Sequence, residues 1–174
     1  LLNKKNTFFN YKLNLVKRSM SIETWHFCLI CLAVVILYAL TMPREVALED
    51  DSIFILTSYF NGVAHPPGYP LHTLLGKLFT LLPFGTIPFR VHLLSGFFGA
   101  LTCGLVYLIT IKFVNQRIFG YITATILAVS EIFWSQSIIA EVYTLNTFFY
   151  CLCVVLLLKL HESNQLKFLY IVSF

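Results

Sequence analysis

The sequence predicts an all-α, multi-pass transmembrane protein, on three observations. The 174 residues are 58% hydrophobic and only 11% charged. The mean hydropathy is +0.80, far above what a soluble domain needs to cover its surface with polar groups. Several uncharged runs are long enough to cross a bilayer core of about 30 Å as helices.

Taken in order, residues 1–19 form a basic arm holding five of the 12 Lys and Arg residues, namely Lys4, Lys5, Lys12, Lys17 and Arg18. Past it the balance turns slightly acidic, so the net charge of +4 is no basic patch and nucleic acid is excluded as a partner. Met20 is a candidate start of translation, which would leave the arm untranslated. Residues 20–174 then read as the N-terminal part of a longer transmembrane domain, because the final residues stop inside an apolar run.

The first span is expected over 25–42. Trp25 sits where interfacial aromatics gather, and Pro43 stops the helix. The run is long and has no small-x-small cleavage site, which favours a retained anchor over a signal peptide. Residues 52–60 and 71–84 are too short or too interrupted to cross, and suit amphipathic helices lying at the interface. Full spans are expected over 91–111, 118–134 and 139–158, and another begins near 168. In the span 91–111 Gly96, Ala100 and Gly104 form a small-xxx-small series that lets a neighbouring helix approach. Cys28, Cys31, Cys103, Cys151 and Cys153 all fall in apolar runs and read as packing residues. Cys28 and Cys31 have the spacing of half a zinc site but lack the other half.

Charge asymmetry orients the spans. The turns 112–117 and 159–167 and the N-terminal arm carry Lys and Arg, which places them in the cytoplasm. Two polar clusters then share the opposite face. One is Glu49-Asp50-Asp51 with the loop His65-Pro66-Pro67-Gly68-Tyr69-Pro70. The other runs from Trp134 through Glu141 and Tyr143 to Asn146. Carboxylates in hydrocarbon are costly, so the triplet must lie in water, at the interface or in a polar cavity. The prolines fix φ and Gly68 permits a reversal, which makes the loop stiff. Arg44, Lys77 and Arg90 are cations on the outer side and need a role other than topology.

A carboxylate in a cleft at the membrane surface can act as general base towards a hydroxyl. Arg90, Lys77 or Arg44, with His65 or His72, could bind a phosphate leaving group. Together these parts fit glycosyl transfer from a lipid-phosphate donor. The competing reading is a transporter or flippase of lipid-linked sugars, though such proteins place ionisable groups near the midplane and often show inverted repeats. A non-catalytic assembly partner is a third. Nothing in the triplet fixes a full set of oxygen ligands, so no metal is required. His65 has a plainer reading as a turn cap, and His92 as a hydrogen-bonding partner of a neighbouring helix.

Gly62-Val63-Ala64-His65-Pro66-Pro67-Gly68-Tyr69-Pro70-Leu71 resembles the signature of a polytopic membrane protein O-mannosyltransferase family, whose animal members act on IPT/TIG domains of plexin-type receptors. Leu82-Pro83-Phe84-Gly85, Arg90-Val91-His92-Leu93-Leu94-Ser95, Trp134-Ser135-Gln136 and Ala140-Glu141-Val142-Tyr143-Thr144-Leu145-Asn146 follow in the family's order. The resemblance covers nearly all of residues 20–158. It implies a GT-C-type architecture and inverting transfer of mannose from a polyprenyl-phosphate donor, such as dolichyl-phosphate mannose, to a protein hydroxyl, with no cofactor beyond that donor.

By an ungapped alignment the family's first-loop Asp falls on Asp50, with Asp51 and Glu49 as the alternatives. The chain departs from the family's Gly-Asp-Ser-Gly-Glu stretch, reading Glu49-Asp50-Asp51-Ser52-Ile53, and so lacks the later Glu. His65, Pro66, Pro67, Gly68, Tyr69, Arg90, Lys77, Trp134, Glu141 and Tyr143 are the expected substrate-binding residues. The expected location is the bacterial inner membrane, or alternatively the endoplasmic reticulum membrane, with the active site on the non-cytoplasmic face.

Overall fold

A computed structural model describes residues 2–47 and 50–163, and side chains from residue 22 to residue 162 within those ranges. The described residues form seven helices: α1 (Leu2–Thr41), α2 (Asp51–Phe60), α3 (Pro70–Thr80), α4 (Ile87–Val114), α5 (Arg117–Val129), α6 (Glu131–Ser137) and α7 (Tyr143–Ser163). Among the described residues three stretches are long and apolar enough to cross a membrane: Ile22–Thr41, Ile87–Val114 and Tyr143–Glu162. The chain is therefore a multi-pass helical membrane protein. The span expected from residue 168 lies outside the described residues, as does Glu49.

α4 is the hub. It packs against α1, α5 and α7 along its length and against α2, α3 and α6 near its start, which explains why its sequence is apolar on every side. Thr86 caps its N-terminus, accepting a hydrogen bond from the Phe89 amide at 3.4 Å, and Pro88 sits in the first turn, where a missing N–H costs nothing. The small-residue face receives α1 as expected. A Cβ on Gly104 would lie 2.7 Å from both the Phe27 ring and the Cys31 sulfur, so only glycine admits this approach. Tyr38 of α1 is fully buried in the same core and donates to the Ala128 carbonyl of α5 at 2.9 Å.

Two of the expected boundaries differ. The apolar run 118–134 is not one straight span: α5 and α6 meet at Ser130 with a 66° bend. Ser130 is extended, and both its amide and its hydroxyl donate to Leu127 O, closing α5. It then serves as the residue before α6, its carbonyl accepting from Trp134 N at 2.8 Å. The following span also starts later than residue 139, because residues 138–142 form the connection from α6 to α7.

One end of the bundle carries the basic turns. Lys112 pairs with Glu162 at 2.8 Å and Arg117 with Glu23 at 2.7 Å, joining α4 to α7 and α5 to α1. The acidic and proline-rich loops occupy the other end.

Candidate active site at the proline-braced end of the bundle

α2 and α3 lie side by side and run in the same direction, with His72 against Phe54, Gly76 against Ser58 and Lys77 against Tyr59. They brace the loop between them, which returns to the start of α2. α2 closes on Asn61 in a left-handed conformation, its amide donating to Thr57 O. The loop then turns at His65–Gly68, with Gly68 N donating to His65 O at 2.9 Å. Gly68 has φ +94° and Tyr69 φ +46°, so the reversal uses the conformation that glycine tolerates best. Pro70 opens α3. The brace rests on Phe54, which is 1% exposed. Its ring makes edge contacts with His65, Tyr69 and His72 at centroid distances of 5.8, 5.5 and 5.0 Å.

The two adjacent aspartates have opposite environments. The Asp50 side chain is 48% exposed and its Oδ2 accepts from His65 Nε2 at 2.9 Å. Its backbone carbonyl accepts from the Ile53 and Phe54 amides at the start of α2, while its side chain caps nothing. The carboxylate therefore faces the proline loop. Asp51 is fully buried and accepts from His92 Nε2 at 2.8 Å, from the Ala140 amide at 2.7 Å and from the Ala47 amide at 2.6 Å. Burial pushes the Asp51 carboxyl up, but the His92 bond, the two amides and the His92 charge together hold it below its ordinary value.

Asp51 thus brings the two polar clusters of the sequence into contact, through Ala140. One turn along α4, Ser95 Oγ donates to Glu141 O and accepts from Glu141 N, both at 3.1 Å. Glu141 itself is buried. Beside it a cleft of about 480 Å³ is lined by Ser130, Ile132, Phe133, Gln136, Tyr143, Thr144 and Thr147. That size is ordinary for a ligand pocket.

Several expected substrate-binding residues have other partners. Arg90 was expected to face a phosphate, yet its guanidinium donates to Phe84 O at 2.7 Å and to Thr80 O and Gly85 O, each at 2.9 Å. It caps the C-terminal end of α3, where unpaired carbonyls favour a cation. Lys77 donates to Tyr59 O at 2.6 Å and lies over the Tyr59 ring. Arg44 lies over the Phe89 ring at 4.0 Å. Trp134 donates through Nε1 to Thr41 Oγ1 at 3.1 Å, fastening α6 to the end of α1. His65 faces the Asp50 carboxylate. Tyr143 lines the cleft and is exposed.

His92 and Ser95 are the residues that a site reading of the sequence passes over. Their signal was present: two polar residues three apart in an apolar span lie on one helix face. Among the described residues no three His, Cys, Asp or Glu side chains come together to hold a metal ion.

The fold and this site define a multi-pass helical membrane protein with a proline-braced acidic site at one end of its bundle. A family model described as "Protein O-mannosyl-transferase TMEM260 N-terminal domain" matches residues 50–174, and the chain belongs to that family. It is 38% identical over 136 residues to a mouse (Mus musculus) protein named "Protein O-mannosyl-transferase TMEM260", covering 78% of this chain and 19% of the relative. It is 31% identical over 124 residues to a Dictyostelium discoideum protein named "Protein O-mannosyl-transferase tmem260", covering 70% of this chain and 15% of the relative. The chain spans a fifth or less of the length of these curated relatives. Both relatives are eukaryotic, which gives no support to the expected bacterial inner membrane. No solved structure matches.

Proposed function

We propose that the protein of which this chain forms a membrane-embedded part is a GT-C-type mannosyltransferase of the endoplasmic reticulum membrane. It moves mannose from a polyprenyl-phosphate donor to a protein hydroxyl on the non-cytoplasmic face. The observation that carries the reading is the half-exposed Asp50 carboxylate, held by His65 of the proline loop. It is the accessible base at the end of the bundle where a lipid headgroup meets water.

Asp50 takes the proton of a serine or threonine hydroxyl as its oxygen attacks the anomeric carbon. The bond from that carbon to the phosphate oxygen breaks, and the electron pair leaves with the polyprenyl phosphate. The configuration inverts. His65 donates to Oδ2 of Asp50, so it orients the carboxylate and leaves Oδ1 for the acceptor. The donor's isoprenoid tail stays in hydrocarbon beside the spans. A transporter of lipid-linked sugars would not need an exposed, oriented carboxylate outside the spans.

The test is Asp50→Asn in the full-length protein, supplied with labelled dolichyl-phosphate mannose and an IPT/TIG acceptor domain. A general base contributes about 10²- to 10⁴-fold, so transfer is expected to drop by at least about 100-fold while membrane insertion and melting temperature hold. Label that crosses the bilayer without reaching the acceptor would mean transport instead.

A further inference from the structure

Asp51 stands next to the proposed base, yet no solvent or acceptor hydroxyl reaches its fully buried carboxylate. Its three hydrogen-bond donors come from three separate parts of the chain. Ala47 belongs to the connection between α1 and α2, His92 to α4, and Ala140 to the connection between α6 and α7. His92 adds a fourth link, since its Nδ1 bonds Pro43 O at 3.0 Å. A carbonyl only accepts, so Nδ1 carries a hydrogen, and Nε2 faces a carboxylate oxygen that already accepts from Ala140. The ring is complete when both nitrogens donate, as an imidazolium against a carboxylate. Such a pair, fully desolvated and with its remaining lone pairs satisfied, holds a single geometry and is costly to break from either side.

The backbone gives this junction its consequence. Asp50 and Asp51 share a peptide unit at the first turn of α2, and Asp50 O is fixed by the Ile53 and Phe54 amides. Pinning Asp51 therefore sets where the Asp50 side chain departs from the chain. The same junction draws Ala140 towards α2, and Ser95 holds Glu141 one turn along α4. Residues 140–144, which lead into the cleft beside α6, are thereby placed relative to Asp50.

We infer that Asp51 and His92 form a positioning pair for the transfer reaction, fixing the Asp50 carboxylate and registering the 140–144 segment against it. Asp51 is then not an alternative base. The inference rests on the transferase reading for its kinetic consequence, but the registration itself is independent of it.

The experiment uses the full-length protein in lipid nanodiscs, with labelled dolichyl-phosphate mannose and an IPT/TIG acceptor domain. The variants are Asp51→Ala, Asp51→Asn, His92→Ala and the Asp51→Ala/His92→Ala double. Misplacing a reacting group by about 1 Å costs about 100-fold, so kcat is expected to fall by about that factor in either alanine variant while KM for the donor stays near wild type. The double variant is expected to lose no more than the worse single one, because the two act as one unit. The acid limb of the pH–rate profile is expected to stay in place, since Asp50 still supplies the base. Hydrogen exchange at the Ala47 and Ala140 amides is expected to accelerate in each variant.

A loss of transfer in Asp51→Asn greater than that in Asp50→Asn, with the acid limb gone from the residual rate, would make Asp51 the base and overturn the inference. So would an unchanged kcat per folded molecule in every variant, which would leave the pair a purely structural role. If the wild type transfers no mannose, the transferase reading fails by itself; unchanged exchange at both amides would then overturn the registration as well, and faster exchange would uphold it. Asp51→Asn keeps the shape of the side chain and serves as the decisive variant should the alanine forms fail to fold.

Discussion

Both ends of the bundle are tied by a carboxylate that draws helices together, but the two ties are built differently. At the basic end Glu23 accepts from Tyr107 Oη at 2.7 Å and from two nitrogens of Arg117 at 2.9 and 2.7 Å, joining α1 to α4 and α5. Half of the Arg117 side chain remains exposed, so water and salt screen the contact. At the opposite end Asp51 and His92 are wholly buried, and two backbone amides complete the carboxylate. The first arrangement tolerates rearrangement; the second allows essentially one. Rigidity is thus concentrated at the end where an exposed carboxylate stands.

Breaking each tie measures that difference. His92→Ala leaves Asp51 buried without its charged partner, and loss of one member of a buried pair costs about 3–5 kcal/mol. A large fall in the melting temperature of the detergent-solubilised protein is expected, and a fall no greater than that of Glu23→Gln would erase the contrast. Glu23→Gln should cost far less, because partly exposed ion pairs contribute little and weaken with salt. Its loss should shrink further as salt is raised, whereas that of His92→Ala should not.

Acid provides the smallest and most local probe. Burial depresses His72 of α3 from its ordinary 6.5 to about 4. Between those values the unfolded chain binds a proton that the folded chain refuses, so stability falls as pH drops through that window. Asp51 has the usual carboxylate sign: its contribution is present above the ordinary Asp range and is lost only as pH falls below it. His72→Leu is therefore expected to flatten the melting-temperature slope between about pH 6.5 and 4 while sparing the steeper loss below. An unchanged slope would mean that His72 does not titrate as its burial dictates.

The long helices were legible because an uncharged run of about 20 residues has few other fates. The small-residue face of α4 was legible for the same reason, since spacing on a helix is a local property. The break at Ser130 was not: Glu131 is the one charged residue in the run 118–134, and hydropathy averages over it. The partners of the outer cations were not legible, because residue type gives charge but not reach. Arg90 spends its donors on carbonyls six, ten and five residues away, a local capping that only the turn at Gly85 reveals. The pairing of Asp51 with His92 spans 41 residues and has no periodic signature at all. What pointed towards it was a histidine and a serine on one face of an otherwise apolar helix.

Phe54 carries a consequence of its own. His65, Tyr69 and His72 all lean on this one ring, so the loop that orients Asp50 has a single pedestal. An aliphatic replacement would preserve the hydrophobicity of α2 and its helical propensity, yet would offer no flat edge for three rings to meet. Variation at position 54 should thus be read in the aim of the carboxylate four residues earlier, long before it is felt in the integrity of the helix.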